Sequence, residues 1–166
     1  MKFFEILQFP DERLRQKSVE VQKINDELKD YIEKLKLTLF DNKGCVGIAA
    51  PQTGVLKRIV IVDVTNHKKA TDKNGLLVMI NPILISGTGG VLNREGCLSV
   101  PEYTGNVERK NVIKIKYTDL SETEKLLETG GFEAVVLQHE IDHLDGILFL
   151  DRISNTKRDL FSRKKY

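Results

Sequence analysis

The chain has 166 residues, of which 40% are hydrophobic and 30% charged, with a net charge of +2. This is the size of one domain with a core of its own, and it contains no apolar run long enough to cross a membrane. The near-neutral balance gives no footprint for DNA, two cysteines are too few for a disulfide framework, and no secretory pattern opens the chain. A reducing cytoplasm is therefore the expected location.

In chain order, Asp26 to Phe40 is predicted to be an amphipathic helix, with Leu28, Tyr31, Ile32, Leu35 and Leu39 on one stripe. Asn25 or Asp26 caps it, and Asn42-Lys43-Gly44 stops it. Gly44 to Gln52 (GCVGIAAPQ) follows: its small residues let backbone pass close to a ligand, and Gln52 brings an amide able to donate to an oxyanion. Arg58 to Val64 is a β-branched run and a buried strand. Asn66 to Asn74, which includes His67, is Lys-rich and polar, as a surface loop would be. Val78 to Ile85 is a strand whose Pro82 demands an edge position or a bulge. Val112 to Thr118 alternates, with Ile113, Ile115 and Tyr117 facing in and Lys114 and Lys116 facing out. Lys125 to Glu128 is a further short strand. Gly130-Gly131 then breaks the chain before a helix over Phe132 to Leu144, which Asp145-Gly146 ends. Helix, strands, then helix, without long crossovers, implies an α+β fold with antiparallel sheets around a central helix. The expected division is a single catalytic domain over 1–153 and a short basic tail over 154–166.

The central helix carries the chemistry, in Gln138-His139-Glu140-Ile141-Asp142-His143-Leu144-Asp145-Gly146. Residues four apart share a helix face, so His139 and His143 can grip one metal ion, and Glu140 can exchange protons with a water there. A third ligand is needed. The position where one class of zinc peptidases has its third histidine is Phe149, and after Ile153 the only acid is Asp159, so the ligand lies upstream. Cys97, in Arg94-Glu95-Gly96-Cys97-Leu98-Ser99-Val100-Pro101, is the strongest candidate. A thiolate and two imidazoles make a tetrahedral set with one open position. Cys45 is a weaker second choice, and His67 a poor one.

Together the segments GCVGIAAPQ, EGCLS and QHEIDHLDG resemble the peptide deformylases, whose motifs run GxGxAAPQ, EGCLS and QHExDHLDG in that order. The second and third match in full, while Cys45 stands where the first motif has its first glycine. The resemblance extends from about Ile6 to Ile153. It implies the peptide-deformylase fold and a hydrolase that removes the formyl group from N-terminal formylmethionine of nascent peptides. It also implies one divalent metal ion per chain on Cys97, His139 and His143. Fe(II) is the expected ion, with Zn, Ni or Co as substitutes. Glu140 is then the proton-transfer group, and Gln52 with the Leu98 backbone N–H holds the oxyanion. Val46, Phe132, Val135 and Val136 are expected to form the methionine pocket, with the peptide lying as a strand beside Val46-Gly47. Glu95 and Arg109 are expected to brace the Cys97 loop. The basic tail is expected to be a frayed, solvated terminus, with a weak ribosome contact as the alternative. A peptidase of the HExxH type is the rival enzyme, and a catalytically silent relative the rival outside enzymes.

Overall fold

The computed structural model describes residues 2–163. The first helix, α1 (Asp26–Asp41), begins where the Asn25 side chain accepts the Leu28 N–H at 2.9 Å. Beyond its end Gly44 takes a φ of 82°, which a side chain would resist. Leu28, Ile32, Leu35 and Leu39 are buried along one face, as the periodicity requires, and pack on Ile48, Ile59, Ile61 and Ile80.

The strands are β1 (Gly47–Ala49), β2 (Ile59–Val62), β3 (Leu77–Thr88), β4 (Val91–Cys97), β5 (Val100–Arg109), β6 (Val112–Thr118), β7 (Glu124–Gly130) and β8 (Leu160–Ser162). The helix α2 (Gly131–Leu144) lies between β7 and β8 in the chain, with a single turn, α3 (Thr156–Asp159), before β8. A five-stranded sheet runs β1-β2-β3-β6-β7 and a three-stranded sheet β4-β5-β8, antiparallel throughout. Alternate residues of β2 serve opposite faces: Ile59 and Ile61 meet α1, while Val60 and Val62 pack with Leu137 and Ile141 of α2. Burial on both faces explains the unbroken β-branched run, each side chain being worth about 1.5–3 kcal/mol. The fold is α+β, with the motif helix between antiparallel sheets. None of the helices is long and apolar enough to cross a membrane among the described residues.

Of the two sites open to Pro82, the structure chooses the bulge. β3 is a central strand, and its pairing with β6 slips between Ile80 and Ile83. Proline has no N–H for the ladder, so a central strand accommodates it only where the ladder is interrupted. Asn81 sits in this interruption at φ 53° and uses its side chain to bind both the N–H and the C=O of Val21, at 2.8 and 2.9 Å.

Two expectations are corrected. Cys97 stands at the end of a strand, not in a loop: it pairs with Val100, and Leu98-Ser99 form the turn of the β4–β5 hairpin. The inward residues at that end are Glu95 and Cys97, so the usual apolar alternation is missing there. The stretch after Ile153 is not a frayed terminus either. Its β8 pairs with β5 through Gly105↔Leu160, Thr104↔Phe161 and Tyr103↔Ser162. Lys164, Lys165 and Tyr166 of that basic segment lie outside the described residues.

Candidate metal centre and cleft

From Glu133 to Leu144 every residue of α2 is buried, six polar or charged side chains among them. Burying such groups is costly unless each finds a partner. Glu133 accepts from the Asn74 N–H at 2.9 Å and the Thr129 hydroxyl at 2.8 Å. Gln138 exchanges two hydrogen bonds with the Lys110 backbone, at 2.9 and 3.0 Å. Asp142 accepts from Arg109 at 2.6 Å and from Arg152 at 2.7 Å. The exceptions are Glu140 Oε2 and His143 Nδ1, which, with Ser18 Oγ, are the buried side-chain atoms lacking a partner among the described residues. Two of these three orphans belong to HExxH.

Cys97, His139 and His143 offer ligand atoms that all lie within 4.8 Å of one another, the one such cluster among the described residues. Cys97 Sγ is 3.3 Å from His143 Nε2. Glu95 accepts from His139 Nδ1–H at 2.8 Å, which turns Nε2 of that ring toward the cluster. The donor set of one sulfur and two imidazoles suits a divalent transition metal. Burial would lower the pKa of His139, but its bonds to Cys97 and Glu95 outweigh burial and hold it well above the ordinary value. Burial, aided by the neighbouring His139, drives His143 well below it. Burial also pushes Glu140 up to about 7, and its Oε1 stands 3.9 Å from His139 Nε2. Cys45 does not join the cluster.

Behind the ligands lies an ion network. Arg109 grips Glu95 with Nε and Nη2, both at 2.8 Å, and reaches Asp142 with Nη1. Burial alone would raise Glu95 and lower Arg109, yet their mutual contact, with His139 and Asp142, moves each the other way. Glu95 and Arg109 thus pair with each other, and Glu95 also touches His139. Sequence reasoning missed Asp142 and Arg152: the partners of Asp142 lie 33 residues upstream and 10 downstream, with no local pattern to join them.

Gln52 is 2% exposed. Its Oε1 accepts the Ala49 N–H at 3.0 Å, while Nε2 donates to Ser99 Oγ at 3.1 Å and reaches Cys97 Sγ at 3.6 Å. The residues Val46, Gly47, Phe132, Val135 and Val136 all line a cleft of about 360 Å³. Gln52, Cys97, Leu98, His139 and Glu140 line it too. Val136 is shared with the core, into which Val46 and Phe132 also pack. Gly47 is required by space: a Cβ there would stand 2.9 Å from Glu140 Cγ and 3.0 Å from Val136 Cγ1. Cys45 does place a second thiol in the cleft, and burial pushes it up to about 11. His67 is half-buried rather than on an open loop, stacked on Phe132 with ring centroids 4.2 Å apart. Sequence reasoning also missed Lys43, Arg94 and Arg163, which line the same cleft from three distant parts of the chain.

A family model described as polypeptide deformylase matches residues 3–159. A peptide deformylase of Thermodesulfovibrio yellowstonii is 42% identical over 164 residues, covering 99% of this chain and 97% of the relative. The crystal structure of peptide deformylase from Thermotoga maritima superposes with a TM-score of 0.85 at 36% identity, over 93% of this chain and 100% of that one. A class I type b peptide deformylase from Acinetobacter baumannii, bound to Met-Ala-Ser, gives 0.83 at 31% identity, over 92% and 99%.

Proposed function

The chain belongs to the polypeptide deformylase family, and we propose specific roles for its residues in the family's reaction. That reaction is the metal-dependent hydrolysis of the formyl group from the N-terminal formylmethionine of newly made proteins, giving formate and a free amine. The observation that carries the assignment is the meeting of Cys97, His139 and His143 beside a cleft in which the Glu140 carboxyl is buried with one oxygen unpartnered.

Cys97, His139 and His143 hold one divalent ion, which when bound supplies Lewis acidity toward water and the formyl oxygen. Fe(II) is our choice, with Zn, Ni or Co as substitutes; ferrous iron beside a thiolate is prone to oxidation, so activity is expected to fade in air. Glu140 does the proton work. Burial holds its carboxyl at about 7, where it can take a proton from the attacking water and return it to the departing amine. As water adds to the formyl carbon, negative charge gathers on the formyl oxygen, and the C–N bond breaks when the nitrogen is protonated. The Leu98 backbone N–H and Gln52 Nε2 are the donors for that oxygen, each worth about 3 kcal/mol in the transition state. For Gln52 the available hydrogen is the one directed at the distant Cys97 sulfur, since the other is held by Ser99.

Val46, Phe132, Val135 and Val136 receive the methionine side chain, and the peptide lies along Val46-Gly47 through backbone hydrogen bonds. Such binding ignores later side chains and suits an enzyme that meets many nascent proteins. The cytoplasm is the compartment where those substrates arise, and basic residues near the end of the chain give a weak contact with the ribosome. The test is formate release from formyl-Met-Ala-Ser, anaerobically with Fe(II) or Ni(II) supplied. Formate should appear, vanish with chelator, and fall by about 10²–10⁴-fold in Glu140→Ala while metal content is kept. A metal-loaded protein that releases no formate would overturn the assignment.

A further inference from the structure

Besides the histidines His67 and His139 and the thiols Cys45 and Cys97, the ionisable side chains lining the cleft are Lys43, Arg94, Arg163, Glu95 and Glu140. The two carboxyls are buried, and Glu95 is already paired with Arg109 and His139. The three cations are exposed, and none takes part in an ion pair among the described residues. Among the described residues, the lining of the cleft thus carries three exposed cations and no exposed carboxylate.

Arg94 is held through its side chain, and Arg163 through its backbone. Arg94 on β4 donates from Nε to Thr104 Oγ1 at 3.1 Å, and its guanidinium lies over the Phe161 ring at 4.0 Å, leaving the remaining N–H groups open. Arg163 follows β8, its backbone N–H bound to the Glu102 carbonyl at 2.8 Å. Its guanidinium rests against Gly96, where any Cβ would overlap it. The guanidinium thus lies beside the hairpin that carries Cys97. That charge is felt within the cleft, where Arg163 opposes the upward push on the Cys45 thiol.

We propose that Lys43, Arg94 and Arg163 form a specificity rim that favours formylated peptides carrying an acidic side chain within the first few residues after formylmethionine. This rests on the deformylase assignment above. The rim is remote from the reacting bond, so it acts on ground state and transition state alike and shows in KM rather than kcat. Exposed pairs are individually weak, but exchanging an acid for a base against three like charges is expected to change kcat/KM by about tenfold at low salt.

The experiment compares formyl-Met-Ala-Glu-Ala amide with formyl-Met-Ala-Lys-Ala amide on the metal-loaded enzyme. The amide ends remove the terminal carboxylate, so only the side chain differs. The Glu peptide should lead by about tenfold through a lower KM, and the lead should collapse between about 0.01 M and 1 M salt as the screening length falls from about 30 Å to about 3 Å. Arg163→Gln should cut the ratio by about threefold and Arg163→Lys should keep it. A ratio within about twofold, one that ignores salt, or one unchanged in Arg163→Gln overturns the proposal. If the two peptides are equal yet the protein is held on RNA in a salt-sensitive way, the rim belongs to RNA and the proposal also fails. Turnover of the neutral formyl-Met-Ala-Gln-Ala amide separates these outcomes from failure of the deformylase assignment, which would leave all three peptides intact.

Discussion

Replacing Glu95 with alanine removes one carboxylate that serves two elements at once. Its oxygens accept from Arg109 Nε and Nη2 on β5 and from His139 Nδ1 on α2, all at 2.8 Å, and the Glu95 and Arg109 side chains are 4% and 3% exposed. Taking one partner from a buried pair costs about 3–5 kcal/mol because the other charge is left without compensation. Arg109 would keep Asp142 at 2.6 Å, so the expected loss is at the lower end, about 3 kcal/mol. A second effect is separate. Without the acceptor on Nδ1, neither the tautomer nor the plane of the His139 ring is fixed, and loss of such a partner lowers metal affinity by about 10–100-fold. Urea unfolding in the presence of chelator reads the first effect, and competition against a chromophoric chelator the second. Glu95→Gln should show both in weaker form, since its amide must turn an N–H toward Arg109 or His139. A Glu95→Ala protein within about 1 kcal/mol of the parent in stability and with unchanged metal affinity would refute the account of this network.

Gly47→Ala should displace Glu140 or Val136, lowering kcat by at least about tenfold and stability by about 1–3 kcal/mol; a fully active variant would show that the cleft wall yields. Cys97→Ala should lower metal content at a fixed free-metal concentration, and unchanged content would reject the ligand set. Cys45, raised from the ordinary 9.0 to about 11, favours the thiol in the fold, so its thiolate fraction at pH 8 is about 100-fold below that of a free cysteine. Its alkylation, followed by peptide mass mapping, should therefore keep rising about tenfold per pH unit past pH 9, and a plateau near 9 would contradict the burial argument.

Both main helices were legible in the residues because each rule involved is local. Periodicity, the Asn25 cap and the Gly130-Gly131 break place α1 and α2 to within a residue at each end. The β4–β5 hairpin was not legible, because its inward positions near the site are Glu95 and Cys97, which no apolar alternation marks. Cys97 could be proposed as a ligand from the need for a third donor, although its strand could not be seen. The partnership of Glu95 with Arg109 could be guessed, but its extension to Asp142 and Arg152 requires four residues to meet that span 58 positions of the chain. Arg163 was similarly hidden: as sequence it is one basic residue in a basic run, and only the pairing of β8 with β5 carries it back to the cleft.

The burial of α2 from Glu133 onward has a consequence in time. His139, Glu140 and His143 occupy the middle and end of a helix that is buried from Glu133 onward and packs on the five-stranded sheet. Their amide protons should be among the slowest in the molecule to exchange, because reaching them requires the core packed around the helix to open. Many enzymes carry their reacting groups on loops that loosen while the body of the fold persists. Here Glu140, the proposed proton-transfer group, is part of the core helix itself, so on heating the site and the core are expected to melt as one unit.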